Sequence, residues 1–239
     1  MFEEAGSRRY AMWLLPALIN LVHAVQHGYD FAHMQMPFKH VSRHPAWLKL
    51  VAMRMILPRY EYVLYLDSDA FFRQPGTPQV VEKMILEGQL SRGKIMALTK
   101  EDVSYPDIAN TGVLTLRNSE ETLKMLHDWW YSIVQHKQYM MYKRAWSFEQ
   151  AAFTWIVYPA YNESVSLLTL EDWNSPEGKH IRHIWSVLSE DEREQIFLDA
   201  AALSLRHLEE SSHRTQAEPI AAAAELVDLV DEVLAHKLH

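Results

Sequence analysis

Residues 60–73 read YEYVLYLDSDAFFR: an apolar run of Val, Leu and Tyr that stops on two carboxylates one residue apart, Asp67 and Asp69, with Phe71 and Phe72 directly after them. "EYVLYLD" is short and rich in strand-favouring residues, so it predicts a strand. Alternate residues of a strand point to the same side, and Asp67 and Asp69 converge if that geometry runs through them. Open α/β sheets bind ligands beyond the carboxyl ends of their strands, where these two acids fall. Two like charges in a partly buried crevice are unfavourable alone. A divalent cation removes the conflict, since Mg²⁺ takes one or two carboxylates together with substrate phosphates. The alternative is that both acids merely cap the next turn. The apolar strand before them and the aromatic pair after them favour the metal site.

Outward from this strand, the chain alternates. "YAMWLL" (Tyr10 to Leu15) predicts a short buried strand, and "PALINLVHAVQHGYD" from Pro16 a helix with Leu18, Leu21, Val22 and Val25 at helical spacing, stopped at Gly28. "YDFAHMQM" predicts a second strand, and "PAWLKLVAMRMIL" from Pro45 a helix that ends before Pro58. Strand, helix, strand, helix, strand implies a parallel sheet with helices on its faces. Beyond Arg73, "TPQVVEKMILEGQL" predicts a helix, "GKIMALTK" and "NTGVLTLRN" strands, and "SEETLKMLHDWWYSIVQH" a helix capped by Ser119. "SFEQAAFTWIVYP" predicts a helix ended by Pro159, followed by short strands in "SVSLLTLE" and "HIRHIW".

From about Val187 the composition changes, with no further Gly or Trp. Ser189 and Glu192 fit a capping box. Two amphipathic helices joined by the polar linker "ESSHRTQAEP" are predicted, the last with a stripe of Leu226, Leu229, Val230, Val233 and Leu234. This tail packs on the domain or on a partner, a second copy of the chain included. The organisation expected is a domain over residues 1–186 and a helical extension over 187–239.

The totals bound the function. At 239 residues and 49% hydrophobic, the chain has enough apolar residues for one sizeable core. A formal charge of −8 argues against nucleic acid as the main partner, because phosphate binding needs a basic face. There are no cysteines, which excludes disulfides, thiolate zinc sites and a cysteine nucleophile. The acidic start MFEEAGSRRY is unlike a signal peptide. "AMWLLPALINLV" is too short to span a bilayer, with Pro16 and Asn20 interrupting it. The chain reads as soluble, with no transmembrane segment. With seven glycines and neither a G-x-x-x-x-G-K nor a G-x-G-x-x-G, no glycine cradle exists for phosphates. A diphosphate would need the metal and side-chain cations, and Lys49 and Arg54 lie on the helix just before the strand. Either could equally face solvent.

The segments "HGYDF", "HPAWLKLVAMRMILPRYEYVLYLDSDAFF", "NTGVLTLRNSEETLKMLHDWW", "FEQAAF" and "HIRHIW", in this order, resemble the GT-A fold glycosyltransferases. The closest match is glycosyltransferase family 34, the galactosyl-, mannosyl- and xylosyltransferase-like enzymes. The resemblance covers roughly Tyr10 to Trp185 and leaves out the helical tail. It implies an α/β, Rossmann-like fold with a mostly parallel central sheet and helices on both faces. It also implies a nucleotide-sugar donor carrying UDP or GDP, a glycan or glycoconjugate acceptor, a divalent cation (Mn²⁺, or Mg²⁺), and transfer with retention. By the same resemblance Asp67 and Asp69 match the DxD that holds metal and diphosphate, Ser68 lies near the donor ribose, and His183 completes the metal site. Lys49 faces the diphosphate or nucleoside, Asn110, Thr111 and Gly112 lie beside the transferred sugar, and Glu149 and Gln150 lie by its reacting face. The compartment it implies is the Golgi lumen for a eukaryotic enzyme whose anchor lies outside this sequence, and otherwise the cytoplasm. Two departures stand out. The family has Asp-Gln where this chain has Glu149-Gln150, and Ile184, Trp185 and Ser186 replace the Gly and Cys that often follow the late histidine.

The residues also admit plainer readings. His183 suits a core or edge position, and His180 competes with it as ligand. Asn110-Thr111-Gly112 suits a turn opening a strand, and Glu149 a surface helix. His23 and His27 are spaced i, i+4 as zinc ligands are, without an evident third ligand, and read as structural. Trp129 and Trp130 split between core and surface. A retaining double displacement would need a carboxylate nucleophile, for which Glu149 is the candidate. Front-face attack instead lets the leaving phosphate take the acceptor proton, with Gln150 supporting an ion-pair-like state, and is favoured. Two other function classes compete: a non-catalytic GT-A-like scaffold, and a phosphatase of the haloacid-dehalogenase type, whose DxD usually follows the first strand.

Overall fold

The computed structural model describes residues 2–34, 42–101, 108–185 and 188–215. In chain order its elements are α1 (Phe2–His27), α2 (Leu48–Ile56), β1 (Tyr62–Leu66), β2 (Ala70–Phe72), α3 (Val80–Glu87), β3 (Met96–Lys100), β4 (Ala109–Arg117) and α4 (Glu120–Gln135). Then come α5 (Phe148–Ala152), a π-helical turn (Phe153–Val157), α6 (Tyr158–Tyr161), β5 (Val165–Leu168), α7 (Leu170–Trp173), β6 (Ile181–His183) and α8 (Glu190–Thr215). They gather into two compact units, one of Met1–His33, Asp67–Gln79 and Ser175–His239, the other of Met34–Leu66 and Val80–Asn174.

The second unit is built on a four-stranded sheet in the order β1-β4-β3-β5. β4 is antiparallel to β1 and β3, and β5 is parallel to β3. Three of the four strands therefore run one way, with β4 reversed among them. Alternation along β4 assigns its faces. Leu114 and Leu116 join Trp47, Leu50 and Met53 around α2, Leu126, Trp129 and Ile133 of α4, and Phe153 in one buried cluster. Thr115 points the other way and meets the Met84 sulfur of α3 at 3.0 Å. Helices thus cover both faces. At the end of α3, a Cβ on Gly88 would lie 2.4 Å from the Ala97 Cβ, so the close approach of helix to strand requires glycine there. Ser119 Oγ accepts from Thr122 N at 3.1 Å and caps α4.

The first unit has a smaller core. Leu15, Leu18, Ile19 and Val22 of α1, at i, i+3, i+4 and i+7, pack with Phe71, Ile184, and Phe197 and Ala201 of α8. β2 pairs antiparallel with β6. The capping box predicted for α8 is formed: Glu192 Oε2 accepts from Ser189 N at 2.8 Å and Ser189 Oγ accepts from Glu192 N at 3.3 Å.

Four expectations change. Residues 10–15 are helical, because the apolar period of α1 continues through Pro16, and a six-residue apolar run cannot separate strand from helix. Tyr29 to Met34 form no strand; residues 30–33 are all exposed and offer no alternating buried face, while 35–36 lie outside the described residues. Pro159 does not end its helix. It falls in the first turn of α6, where the missing N–H costs little, and the helix runs to Tyr161. The predicted linker is helical from residue 210 to Thr215, where no Gly or Pro interrupts the chain, and its remainder lies outside the described residues. The stripe from Leu226 to Leu234 lies outside the described residues. Among the described residues, no helix is long and apolar enough to cross a membrane.

Candidate functional site

The two acids that end the β1 run do converge, but through a turn rather than through strand alternation. Ala70 N donates to Asp67 O at 2.9 Å and closes the turn, with Ser68 exposed between the acids. β2 then pairs with β6 so that Ala70 faces His183. Ile184 N donates to Asp69 O at 3.0 Å and locks that register. The outcome is a group of Asp67, Asp69 and His183 whose ligand atoms all lie within 4.8 Å of one another. His183 Nε2 is 3.0 Å from Asp69 Oδ1, with side chains 7% and 19% exposed. Trp185 stands edge-on to the imidazole at 5.2 Å. His180 takes no part among the described residues; its carbonyl accepts from Arg73 N. Two carboxylates and an imidazole at this spacing could hold a metal ion.

The strand that carries this group is held from α1 by Asn20, read in the sequence only as a break in an apolar run, and by His23 and His27. Asn20 is 8% exposed. Its Nδ2 donates to Ala70 O at 2.9 Å and its Oδ1 accepts from Phe72 N at 3.2 Å, so one carboxamide pairs the edge of β2 that β6 leaves open. His23 Nδ1 and His27 Nε2 both reach Pro75 O, at 3.1 and 3.0 Å. A carbonyl only accepts, so both rings present an N–H there. His23 also stacks on Phe72 at 3.7 Å between ring centres. This pair is structural, as read. Phe71, on the other side, meets Phe197 of α8 edge-on at 5.8 Å. The signal for Asn20 was present: a lone amide inside an apolar helical stripe.

A second cluster lies within the other unit. The register of β4 against β3 jumps from Leu98↔Leu114 to Thr99↔Asn110, so Thr111, Gly112 and Val113 have no counterpart on β3. Such a bulge re-aims side chains. Asn110 Oδ1 accepts from Gly112 N at 2.9 Å and shapes it. Thr111 Oγ1 donates to Glu149 Oε1 at 3.1 Å, and Thr111 N donates to Gln150 Oε1 at 2.9 Å. Lys49 Nζ is 3.0 Å from Glu149 Oε1 and donates to Thr111 O at 3.2 Å. Their side chains are 5% and 4% exposed, so Lys49 is not on a solvated helix face and Glu149 is not on a surface helix. Arg54, by contrast, is exposed and donates to Leu123 O. Glu149 Oε2 is buried without a hydrogen-bond partner among the described residues.

The backbone of this cluster is firmly placed. Trp129 Nε1 donates to Glu149 O at 2.8 Å, which puts Trp129 in the core. Trp130 is partly buried under the Arg43 guanidinium, 4.2 Å from its ring. Thr154 Oγ1 donates to Gln150 O and accepts from Ala109 N, tying α5 to the start of β4. Phe148 has φ of 51°, a left-handed conformation costly for an aromatic residue, and His44 stacks on its ring at 3.6 Å. Burial holds the His44 imidazole below its ordinary pKa, partly offset by the Glu149 carboxylate. Sequence reasoning also missed Glu101, whose carboxylate accepts from Gln150 Nε2 at 2.8 Å and from Asn110 Nδ2 at 3.1 Å.

No protein-family model matches the chain, and no curated protein does. Among solved structures, the chain is similar to a glycosyltransferase involved in the glycosylation of the major capsid of PBCV-1. The TM-score is 0.61 at 16% identity, covering 78% of this chain and 93% of that one. A second, mouse xyloside xylosyltransferase 1 in its apo form, superposes with a TM-score of 0.38 at 14% identity, over 81% of this chain and 69% of that one, and carries no weight at that score. The α/β architecture with a mostly parallel sheet and helices on both faces is therefore a GT-A-like fold.

Proposed function

We propose that this chain is a metal-dependent glycosyltransferase of the family 34 type, moving a sugar from a UDP- or GDP-sugar to a glycan acceptor with retention of configuration. The observation that carries the reading is the convergence of Asp67, Asp69 and His183 at the end of the strand that the resemblance assigned to the donor diphosphate. Asp67, Asp69 and His183 would hold Mn²⁺ or Mg²⁺. When bound, that ion supplies positive charge against the diphosphate that leaves. Ser68, exposed in the turn, is free to approach the donor ribose.

The second cluster would serve the transferred sugar. Glu149 Oε1 is engaged by Lys49 and Thr111, which makes this carboxylate a weak nucleophile and a good fixed counter-charge for a sugar with oxocarbenium character. That favours front-face displacement over a covalent intermediate. The leaving phosphate oxygen takes the acceptor proton, and Gln150, Asn110 and Gly112 line the reacting face. Replacing Glu149 by Gln should then lower turnover far more than donor affinity.

The deciding experiment is calorimetric titration of UDP and of GDP, with Mn²⁺ and with EDTA, into the wild type and Asp69→Ala. Metal-dependent binding of one nucleotide, lost in a folded Asp69→Ala, supports the reading. Equal nucleotide affinity with and without metal removes it.

A further inference from the structure

We propose that Glu101 is a positioning residue: its single carboxylate sets the orientation of both carboxamides, Asn110 and Gln150, that face the reacting sugar. The inference rests on the transfer reading above and adds to it a residue outside the DxD, NTG and Glu-Gln segments.

Glu101 follows β3 directly and its N–H donates to Ile108 O, just before β4. Asn110 Nδ2 lies 3.1 and 3.2 Å from its two carboxylate oxygens, and Gln150 Nε2 lies 2.8 Å from Oε2. An ionised carboxylate only accepts. Both amides must therefore turn their NH₂ groups toward Glu101 and their oxygens away. Those oxygens are then where the backbone needs them: Asn110 Oδ1 on Gly112 N, and Gln150 Oε1 on Thr111 N, each at 2.9 Å. A flip of either amide would set donor against donor. One acid thus fixes the bulge at Thr111 and Gly112 and the polarity of Gln150 together.

This logic makes a swap possible. In Glu101→Gln, the introduced amide has one oxygen and cannot accept well from both partners, so one of them is driven to turn. In Gln150→Glu alone, two carboxylates oppose each other. In Glu101→Gln/Gln150→Glu the order is restored. The amide at 101 accepts from Asn110 and donates to the acid at 150, which accepts from Thr111 N. Net charge is unchanged.

The test has two arms. In ¹⁵N-labelled protein, the side-chain NH₂ resonances of Asn110 and Gln150 are followed in wild type and Glu101→Gln. In parallel, hydrolysis of a panel of UDP- and GDP-sugars with Mn²⁺ is measured for wild type, both single variants and the swap. We expect both NH₂ resonances to move in Glu101→Gln. Turnover should fall by about 10-fold or more in each single variant, as for a misplaced reacting group, while nucleotide affinity holds within about 2-fold, well under 1 kcal/mol. The swap should recover most of the lost turnover. Unmoved resonances in Glu101→Gln overturn the proposal, as does a swap no faster than the weaker single variant. If the wild type hydrolyses no sugar of the panel, the transfer reading fails, and the resonance arm alone decides whether Glu101 sets the two amides.

Discussion

Replacing Asn20 by Leu tests whether the candidate metal group is built by the strand after it. Leu keeps the branched skeleton of Asn but puts bulkier methyls in place of the amide, so some packing cost adds to the loss of both hydrogen bonds. What changes is that Ala70 O and Phe72 N, bonded to Asn20 at 2.9 and 3.2 Å, lose their partners. Ala70 is fully buried and Phe72 nearly so. Water therefore does not readily replace the amide. An unsatisfied buried backbone group costs about 1–3 kcal/mol, and two of them give about 2–6 kcal/mol. That is a large share of a stability of about 5–15 kcal/mol. It should appear as a lower urea midpoint at unchanged slope.

The consequence for the site follows from position. β2 is three residues long, and Asn20 pairs the edge that β6 does not. Loosening that edge frees the Ala70–His183 register, so Asp69 and His183 lose their common geometry. Supporting partners of metal ligands carry about 10–100-fold in affinity. Mn²⁺ binding, measured under conditions where the variant is fully folded, should weaken by at least about 10-fold on that basis. A stability loss below about 1 kcal/mol would refute the pairing argument, given the cost of orphaned groups. A large stability loss with unchanged Mn²⁺ affinity would refute the claim that β2 positions the ligands.

Three further outcomes are expected. Lys49→Met leaves the buried Glu149 charge uncompensated and should cost about 3–5 kcal/mol in urea unfolding. Lys49→Met/Glu149→Gln should recover most of that loss, since the amide still accepts from Thr111. The depressed His44 pKa has a definite sign: the unfolded imidazole holds its proton more tightly than the folded one, so stability is complete above about pH 6.5 and falls as the pH drops through the lower folded value. His44→Asn, which keeps an acceptor for the Ala46 N–H, should flatten unfolding midpoints measured across that window. Phe197→Ala opens a cavity against Phe71 and should cost about 3–5 kcal/mol by thermal or urea unfolding, which would tie α8 to the same core as the candidate metal group.

The core strands and most helices were legible because their patterns were long or punctuated. β1, β3 and β4 are apolar runs with turn signals on both sides, and α4 carries its cap in Ser119. The N-terminal pattern was not legible in the same way. Six apolar residues before Pro16 fit either a strand or the first turns of a helix, and only the buried stripe from Leu15 to Val22 separates them. Of the site residues, Asp67 and Asp69 were read from their place at a strand end, whereas His183 and the Glu-Gln pair were assigned through the resemblance. Lys49 was assigned through the resemblance to the diphosphate or nucleoside, and no local signal pointed to the contacts its ammonium makes with Glu149 and Thr111 O. Asn20 was visible as a lone amide in an apolar stripe, but its partners are backbone groups about fifty residues away, which no local period records. Glu101 did not need to escape. It is an acid at the end of an apolar strand, the same signal that marked Asp67, but it lacks the second acid and the aromatic pair that drew attention there.

That shared signal also separates what the two strand ends do. After β1, the ligand atoms brought together are two carboxylate oxygens and one imidazole nitrogen, a set that a metal ion could share. After β3, Glu101 is met by two NH₂ groups, and Glu149 is met by the Lys49 ammonium and a hydroxyl. There, donors already answer both carboxylates, and a metal would have to displace an ammonium to enter. In the proposed reading the second cluster then suits neutral, hydroxyl-rich groups and a passing positive charge, with Glu149 Oε2 buried without a hydrogen-bond partner among the described residues. On the function proposed above, this difference puts the ion at Asp67, Asp69 and His183 and Glu149 at the sugar.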